Sequence, residues 1–256
     1  MEEGILFAST LACSEKNFNT FKRRHKNYGL YDLANRILGE DTDYPPASLS
    51  KPLSADQVAG IWGKTVERLK SGKIPRQLGM CIDVPFCLRQ CLFCKHFCFL
   101  YSSKEVDAYV VSLIAEMEAF KEVFKGAKFQ TLWFGGGTPS ILGAGHLKYI
   151  FDTIRKSFVF DADAQVTFEC SPSSTDFRKL GLLRSLGVNR ISLGVNSLDG
   201  KVLKKNNCRA EDKDSSIRLI EYSKRLGFPV SSVYLMCGLP GANIRSFVKG
   251  LEIVIS

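Results

Sequence analysis

Three cysteines fall in the run CLRQCLFC, at Cys87, Cys91 and Cys94, a C-x3-C-x2-C spacing. Thiolates this close on one loop bind metal or act as redox groups. Three of them can hold three irons of a cubane [4Fe–4S] cluster and leave the fourth iron without a protein ligand. A closed structural zinc site needs four ligands, usually as two cysteine pairs some way apart. An electron-carrying cluster needs a fourth cysteine. Cys98 or His96 in that fourth place keeps a zinc site and a ferredoxin-like cluster as alternatives. A disulfide framework does not suit the pattern: nine cysteines is an odd count, and five of them (Cys81, Cys87, Cys91, Cys94 and Cys98) fall within 18 residues. Nothing in the chain looks secreted, and clustered thiols in a reducing compartment point to a metal or to catalysis.

The second motif is FGGGTPS, Phe134 to Ser140. Three successive glycines let a backbone approach a ligand closely and expose its carbonyls and amides. Alone, a triple glycine is more often a turn. Its weight here comes from its place, one β-α unit after the cysteines.

Both motifs need elements to position them. From residue 80 onward, short β-rich runs over 80–86, 129–135, 165–170, 190–196 and 230–238 alternate with helical patterns. The first helix has capping-box spacing at Ser102 and Glu105, and an apolar face of Val106, Tyr109, Val110, Leu113, Ile114, Met117 and Phe120. Later helices are predicted over 147–158, 176–186, 215–226 and 244–255. Five β-α units in series imply an α/β fold with a parallel sheet and right-handed crossovers, either doubly wound or a barrel. Active residues in both sit at the C-terminal ends of the strands. Residues 1–79 read as a helical extension, with helices over 16–38 and 55–71 joined by a loop over 41–52.

Charge and hydropathy exclude several classes. Lys and Arg number 35 against 26 Asp and Glu, a net +9, and the excess is spread along the chain. A nucleic-acid footprint would cluster, so nucleic acid is not the expected partner. No stretch approaches the roughly 18–20 apolar residues of a membrane span. The apolar start at residues 5–13 follows Glu2 and Glu3 where a signal peptide needs positive charge, so the expected location is cytoplasmic.

Taken in order, the motifs resemble the radical S-adenosylmethionine (SAM) superfamily, in the branch of oxygen-independent coproporphyrinogen oxidase and the HemW-type heme chaperone. CIDVPFC (Cys81–Cys87) is similar to that branch's first strand, GGGTPS to its SAM-binding loop, and VTFECSP (Val166–Pro172) to its third strand. RISLGVNS (Arg190–Ser197) resembles the fourth strand and LMCGLPG (Leu235–Gly241) the fifth with its turn.

The resemblance implies a partial (β/α) radical-SAM barrel over 80–256, short of the last barrel unit and the closing C-terminal domain. It implies an enzyme in which Cys87, Cys91 and Cys94 ligate a [4Fe–4S] cluster. SAM then chelates the open iron, and one-electron reduction cleaves it to methionine and a 5′-deoxyadenosyl radical. Gly135, Gly136, Gly137, Thr138, Glu169 and Asn196 match the SAM contacts, and Phe93 supports the adenine. Arg209 pairs with the SAM carboxylate, which its bidentate fork suits; the alternative is a surface arginine beside Lys204 and Lys205. The implied partners are a small-molecule substrate of the tetrapyrrole or heme type and an electron donor such as flavodoxin or ferredoxin. Methyl transfer and heme carriage remain as other outcomes of the same branch.

The sequence also departs from the branch. Its first-strand aromatic is Cys81, its histidine is Asp83, its glutamine after Gly-Val is Asn196, and its fifth-strand aspartate is Tyr234. The oxidases carry a fourth cysteine where this chain has His96, which points away from that particular oxidase. Cys13, Cys170, Cys208 and Cys237 are expected to be small buried or half-buried residues, and His25 and His146 to be surface residues.

Overall fold

The computed structural model describes residues 53–74, 78–96, 98–208 and 213–255. The helix expected over 16–38 and the loop after it lie outside the described residues, as do Cys13 and His25. Helix α1 (Ala55–Lys70) has a full capping box: the Gln57 N–H donates to the Ser54 hydroxyl, and the Ser54 N–H donates to the Gln57 side chain. Its Trp62 lies against Phe120 and Phe124, with ring centroids 4.9 and 5.5 Å apart.

Five parallel strands form one sheet: β1 (Gly79–Val84), β4 (Lys128–Gly136), β5 (Val159–Cys170), β6 (Arg190–Asn196) and β7 (Val230–Leu235). They neighbour one another in chain order. A doubly wound sheet reverses its order part-way, because its helices cover both faces. Strict chain order with right-handed crossovers keeps successive helices on one face and curls the sheet into part of a barrel. The barrel alternative is the one observed.

Between the strands run α2 (Ser103–Phe120), α3 (Ala144–Ser157), α4 (Phe177–Ser185), the short α5 (Gly200–Lys205) and α6 (Lys213–Arg225), and α7 (Ile244–Ile255) follows β7. The core is aromatic in its middle layer: Phe134 of β4 stacks on Phe151 of α3 at 5.0 Å and meets Phe168 of β5 at 5.1 Å. All seven apolar residues expected on the inner face of α2 are buried. The expected capping box at Ser102 is not formed, since that side chain makes no cap hydrogen bond. Burial of one face, more than its cap, holds this helix.

Other departures have local causes. β1 ends at Val84, because Pro85 has no N–H to offer the ladder, and Phe86–Cys87 (β2) pairs instead with Phe99–Leu100 (β3). β7 ends at Leu235, so Cys237 falls in the following turn and is exposed, contrary to expectation. Helix α5 has six residues, too few for a periodic signal. Its N-cap Asp199 accepts from the Lys201 and Val202 N–H groups. Helix α7 leaves Ile244, Val248, Leu251 and Ile255 exposed along one stripe. No described helix is long and apolar enough to cross a membrane.

Candidate functional site

A cavity of about 450 Å³ opens at the C-terminal ends of the strands, and the motif residues converge on it. The loop after β2 brings Cys87, Cys91, Phe93 and Cys94; the end of β4 brings Gly136, Gly137 and Thr138; β5 brings Glu169, and β6 brings Asn196. Gly135 stands just behind this rim, where an added Cβ would lie 3.4 Å from the Glu169 carboxyl carbon. Arg209 lies outside the described residues.

The glycines are required by the ladder they sit in. Gly136 pairs with Val84 and has φ +100°, which L side chains rarely adopt. Gly137 donates its N–H to the Val84 carbonyl at 2.9 Å. A Cβ on Gly137 would come within 3.0 Å of Val84 and Phe86 backbone atoms. The glycine run therefore lies flush against the chain that leads into Cys87. Thr138 follows, its hydroxyl 3.2 Å from the Cys87 sulfur.

Glu169 is half-buried, and burial raises its pKa above the usual carboxylate value; the Trp133 indole N–H, which it accepts from, works the other way, and nearby Asp83 adds repulsion. Asn196 has φ +61° at a register shift between β6 and β7. Asparagine tolerates this left-handed conformation better than most residues.

Two loops of the rim are tied together. Lys179, at the start of α4, donates from Nζ to the carbonyls of Ser140 and Ser174, the latter at 2.8 Å. The buried Ser140 hydroxyl lies 2.6 Å from that of Ser174 and accepts from the Ser171 N–H at 3.0 Å. Burial lowers the pKa of Lys179.

Five thiols line the cavity from this region: Cys87, Cys91, Cys94, Cys98 and Cys208. Cys87 interacts with Cys98, and Cys91 with Cys208. Within each pair one thiol goes down and the other up, chiefly because the two sulfurs share one hydrogen bond, which favours a thiolate acceptor and a protonated donor. Interaction with Cys98, opposed by burial and helped by Thr138, brings Cys87 down to about 7. Burial raises Cys94.

Among the described residues, no three His, Cys, Asp or Glu side chains gather around one point as a single ion requires. A four-iron cube holds its thiolates several ångströms apart, and the donor set here is three half-buried thiols spaced along one loop at a cavity. These residues fit such a cluster. His96, at the oxidases' fourth-cysteine position, is exposed.

A family model described as "Radical SAM superfamily" matches residues 81–253. The chain belongs to the radical SAM superfamily. The matched span holds β1 from Cys81 on, the other four strands of the sheet whole, and every rim residue named above. Radical SAM proteins use a [4Fe–4S] cluster and S-adenosylmethionine. A heme chaperone HemW of Buchnera aphidicola is 28% identical over 181 residues, 70% of this chain and 47% of that protein. An oxygen-independent coproporphyrinogen III oxidase of Escherichia coli is 29% identical over 178 residues, 69% of this chain and 39% of that protein. The solved structure of E. coli coproporphyrinogen III oxidase (HemN) superposes with a TM-score of 0.73 at 26% identity, covering 86% of this chain and 49% of that one. The chain thus spans about half or less of the length of these relatives.

Three residues of the site were not singled out in the sequence. Trp133 lies two residues before the glycine run, and a tryptophan so near a strand end beside a motif is a usable signal. Lys179 looks like one more helical lysine. Cys208 was read as a small buried residue, which it is, but its burial is at the cysteine loop.

Proposed function

We propose that this chain is a radical SAM enzyme of the coproporphyrinogen oxidase-like branch. In this reading Cys87, Cys91 and Cys94 ligate the cluster. Gly135, Gly136, Gly137, Thr138, Glu169 and Asn196, with Phe93 and Arg209, hold SAM. When bound, the cluster and SAM supply a 5′-deoxyadenosyl radical on one-electron reduction. The chain's own part is placement. The glycine run offers backbone carbonyls and amides with no side chain in the way. Glu169 offers a carboxylate oriented by Trp133, and the Lys179 tie keeps these two loops at a fixed spacing.

The observation that carries the reading is the convergence of the cysteine loop, the glycine run, Glu169 and Asn196 on one cavity at the C-terminal ends of a parallel sheet. The proposed substrate class is a tetrapyrrole, since relatives on both sides of the branch carry heme or porphyrinogen names. The proposed electron donor is a flavodoxin or ferredoxin, and the proposed location is the cytoplasm.

A second reading is a heme carrier like the HemW chaperone, favoured by His96 where the oxidases have their fourth cysteine. Titration with heme under anaerobic conditions separates the two. Saturable one-to-one heme binding with no SAM consumed supports the carrier. SAM-dependent change in the mass of a supplied tetrapyrrole supports the enzyme, and neither result removes the tetrapyrrole assignment from both.

A further inference from the structure

Three motif thiols account for three irons, yet a further thiol from a separate element reaches the same loop. Cys208 follows the C-terminal turn of α5, and that turn is fastened to the cysteine loop twice. The Leu92 N–H donates to the Asn206 carbonyl at 3.0 Å, and the Asn207 side-chain amide donates to the Gln90 carbonyl at 2.8 Å. Asn206 is fully buried and donates in turn to the Val202 and Pro240 carbonyls, which anchors the turn to the body of the fold. Asn207 holds a left-handed φ of +54° in making its bond. The outcome is a Cys208 thiol at the cavity wall beside Cys91.

We infer that Cys208 is a fourth, exchangeable protein ligand, holding the iron that the three-cysteine motif leaves open whenever SAM is absent. This rests on the cluster assignment proposed above. The loop supplies three corners of the cube from one side, so a fourth ligand has to come from another element. Cys98 ends the same loop, one residue before β3, and lies next to Cys87. Cys170, the other cavity thiol from outside the loop, sits at the end of β5 among Thr175, Lys179 and Glu169, with no motif cysteine beside it. Cys208 alone of the described thiols combines a separate element with contact to a motif cysteine. Thiolate is a soft ligand suited to iron–sulfur clusters. SAM binding is then a ligand substitution: the iron–sulfur bond to Cys208 breaks, iron–nitrogen and iron–oxygen bonds to SAM form, and no electrons move. The amino group of SAM gives up one proton as its nitrogen binds iron, and the released Cys208 thiolate takes one up.

The test is retention of the fourth iron in anaerobically reconstituted full-length protein challenged with a mild oxidant. Conversion to a three-iron cluster is followed by electron paramagnetic resonance and iron content. Without SAM, Cys208→Ala should convert at least about tenfold faster than the unaltered protein, the scale of loss seen when a metal's supporting group is removed. Cys98→Ala should convert at the unaltered rate, and SAM should abolish the difference. Equal rates for Cys208→Ala and the unaltered protein, or faster loss in Cys98→Ala alone, overturn the inference while leaving the cluster assignment intact. Failure of the unaltered protein to take up four irons overturns both. Cys208→Ser, which keeps the size of the side chain, shows whether Cys208→Ala acts through packing.

Discussion

Gly137 donates its N–H to the Val84 carbonyl at 2.9 Å, and at this point the glycine run and the cysteine-bearing chain touch through backbone alone. Any side chain at Gly137 meets the Phe86 carbonyl oxygen at 2.7 Å, an atom held in place by the chain on both sides. Gly137→Ala is therefore expected to cost about 1–3 kcal/mol, the usual range for overpacking. At about 2–4 °C per kcal/mol for a domain of this size, the melting temperature should fall measurably. Gly181→Ala is the control, because its Cβ has open space within α4. That change should raise stability by about 0.5–1 kcal/mol. Thermal denaturation of both variants decides it, and equal melting temperatures would refute the close-approach argument.

Lys179 supplies the tie between the loop after β4 and the loop after β5. Lys179→Met keeps the apolar stem and removes the donors, leaving the Ser140 and Ser174 carbonyls short of a partner. The expected cost is about 1–3 kcal/mol in denaturant unfolding. SAM affinity, measured by equilibrium dialysis on the cluster-loaded protein, should weaken as well, since Gly137 lies on the first of these loops and Glu169 stands in β5 just before the second. Lys179→Arg should restore part of both. A variant that loses stability but binds SAM normally would limit Lys179 to a role in folding.

Much of this is legible in the sequence. The inner face of α2 was given by apolar residues at helical spacing, and the strand sites of Gly135 and Glu169 by β-rich runs ending in motif residues. What was not legible has physical reasons. The choice of a barrel segment depends on strand order, which no local pattern encodes. Trp133, Lys179 and Cys208 act through contacts 36, 39 and 117 residues apart in sequence, counting Trp133 to Glu169, Lys179 to Ser140 and Cys208 to Cys91 by way of the Asn207–Gln90 bond. Single-sequence reasoning sees residue types at such distances but not their meeting.

Glu169 gives a prediction in pH. Burial raises its pKa in the folded protein above the unfolded value. A raised pKa favours the protonated form on folding, so its contribution to stability is present below the unfolded carboxylate pKa and is lost as pH rises through the folded one. Stability of the cluster-free protein should therefore carry a falling component from about pH 4 upward that Glu169→Gln removes. SAM binding should respond in the opposite sense, strengthening as Glu169 ionises. Glu169→Gln should weaken it by about ten- to a hundredfold, because a hydrogen bond to a charged group is worth about 1.5–3 kcal/mol. Denaturation midpoints and SAM binding measured across pH check both halves. A slope that persists in Glu169→Gln assigns the titration to another group.

The central claim is that Cys87, Cys91 and Cys94 support reductive cleavage of SAM in this cavity. The most direct measurement is 5′-deoxyadenosine formed from SAM by anaerobically reconstituted protein with dithionite, compared with Cys87→Ala, Cys91→Ala and Cys94→Ala. The account predicts a brown protein of four irons per chain that produces 5′-deoxyadenosine, and three variants whose yield falls to background with loss of the cluster. A protein that binds one zinc and makes no 5′-deoxyadenosine, or one whose cluster and yield survive Cys91→Ala, would contradict it.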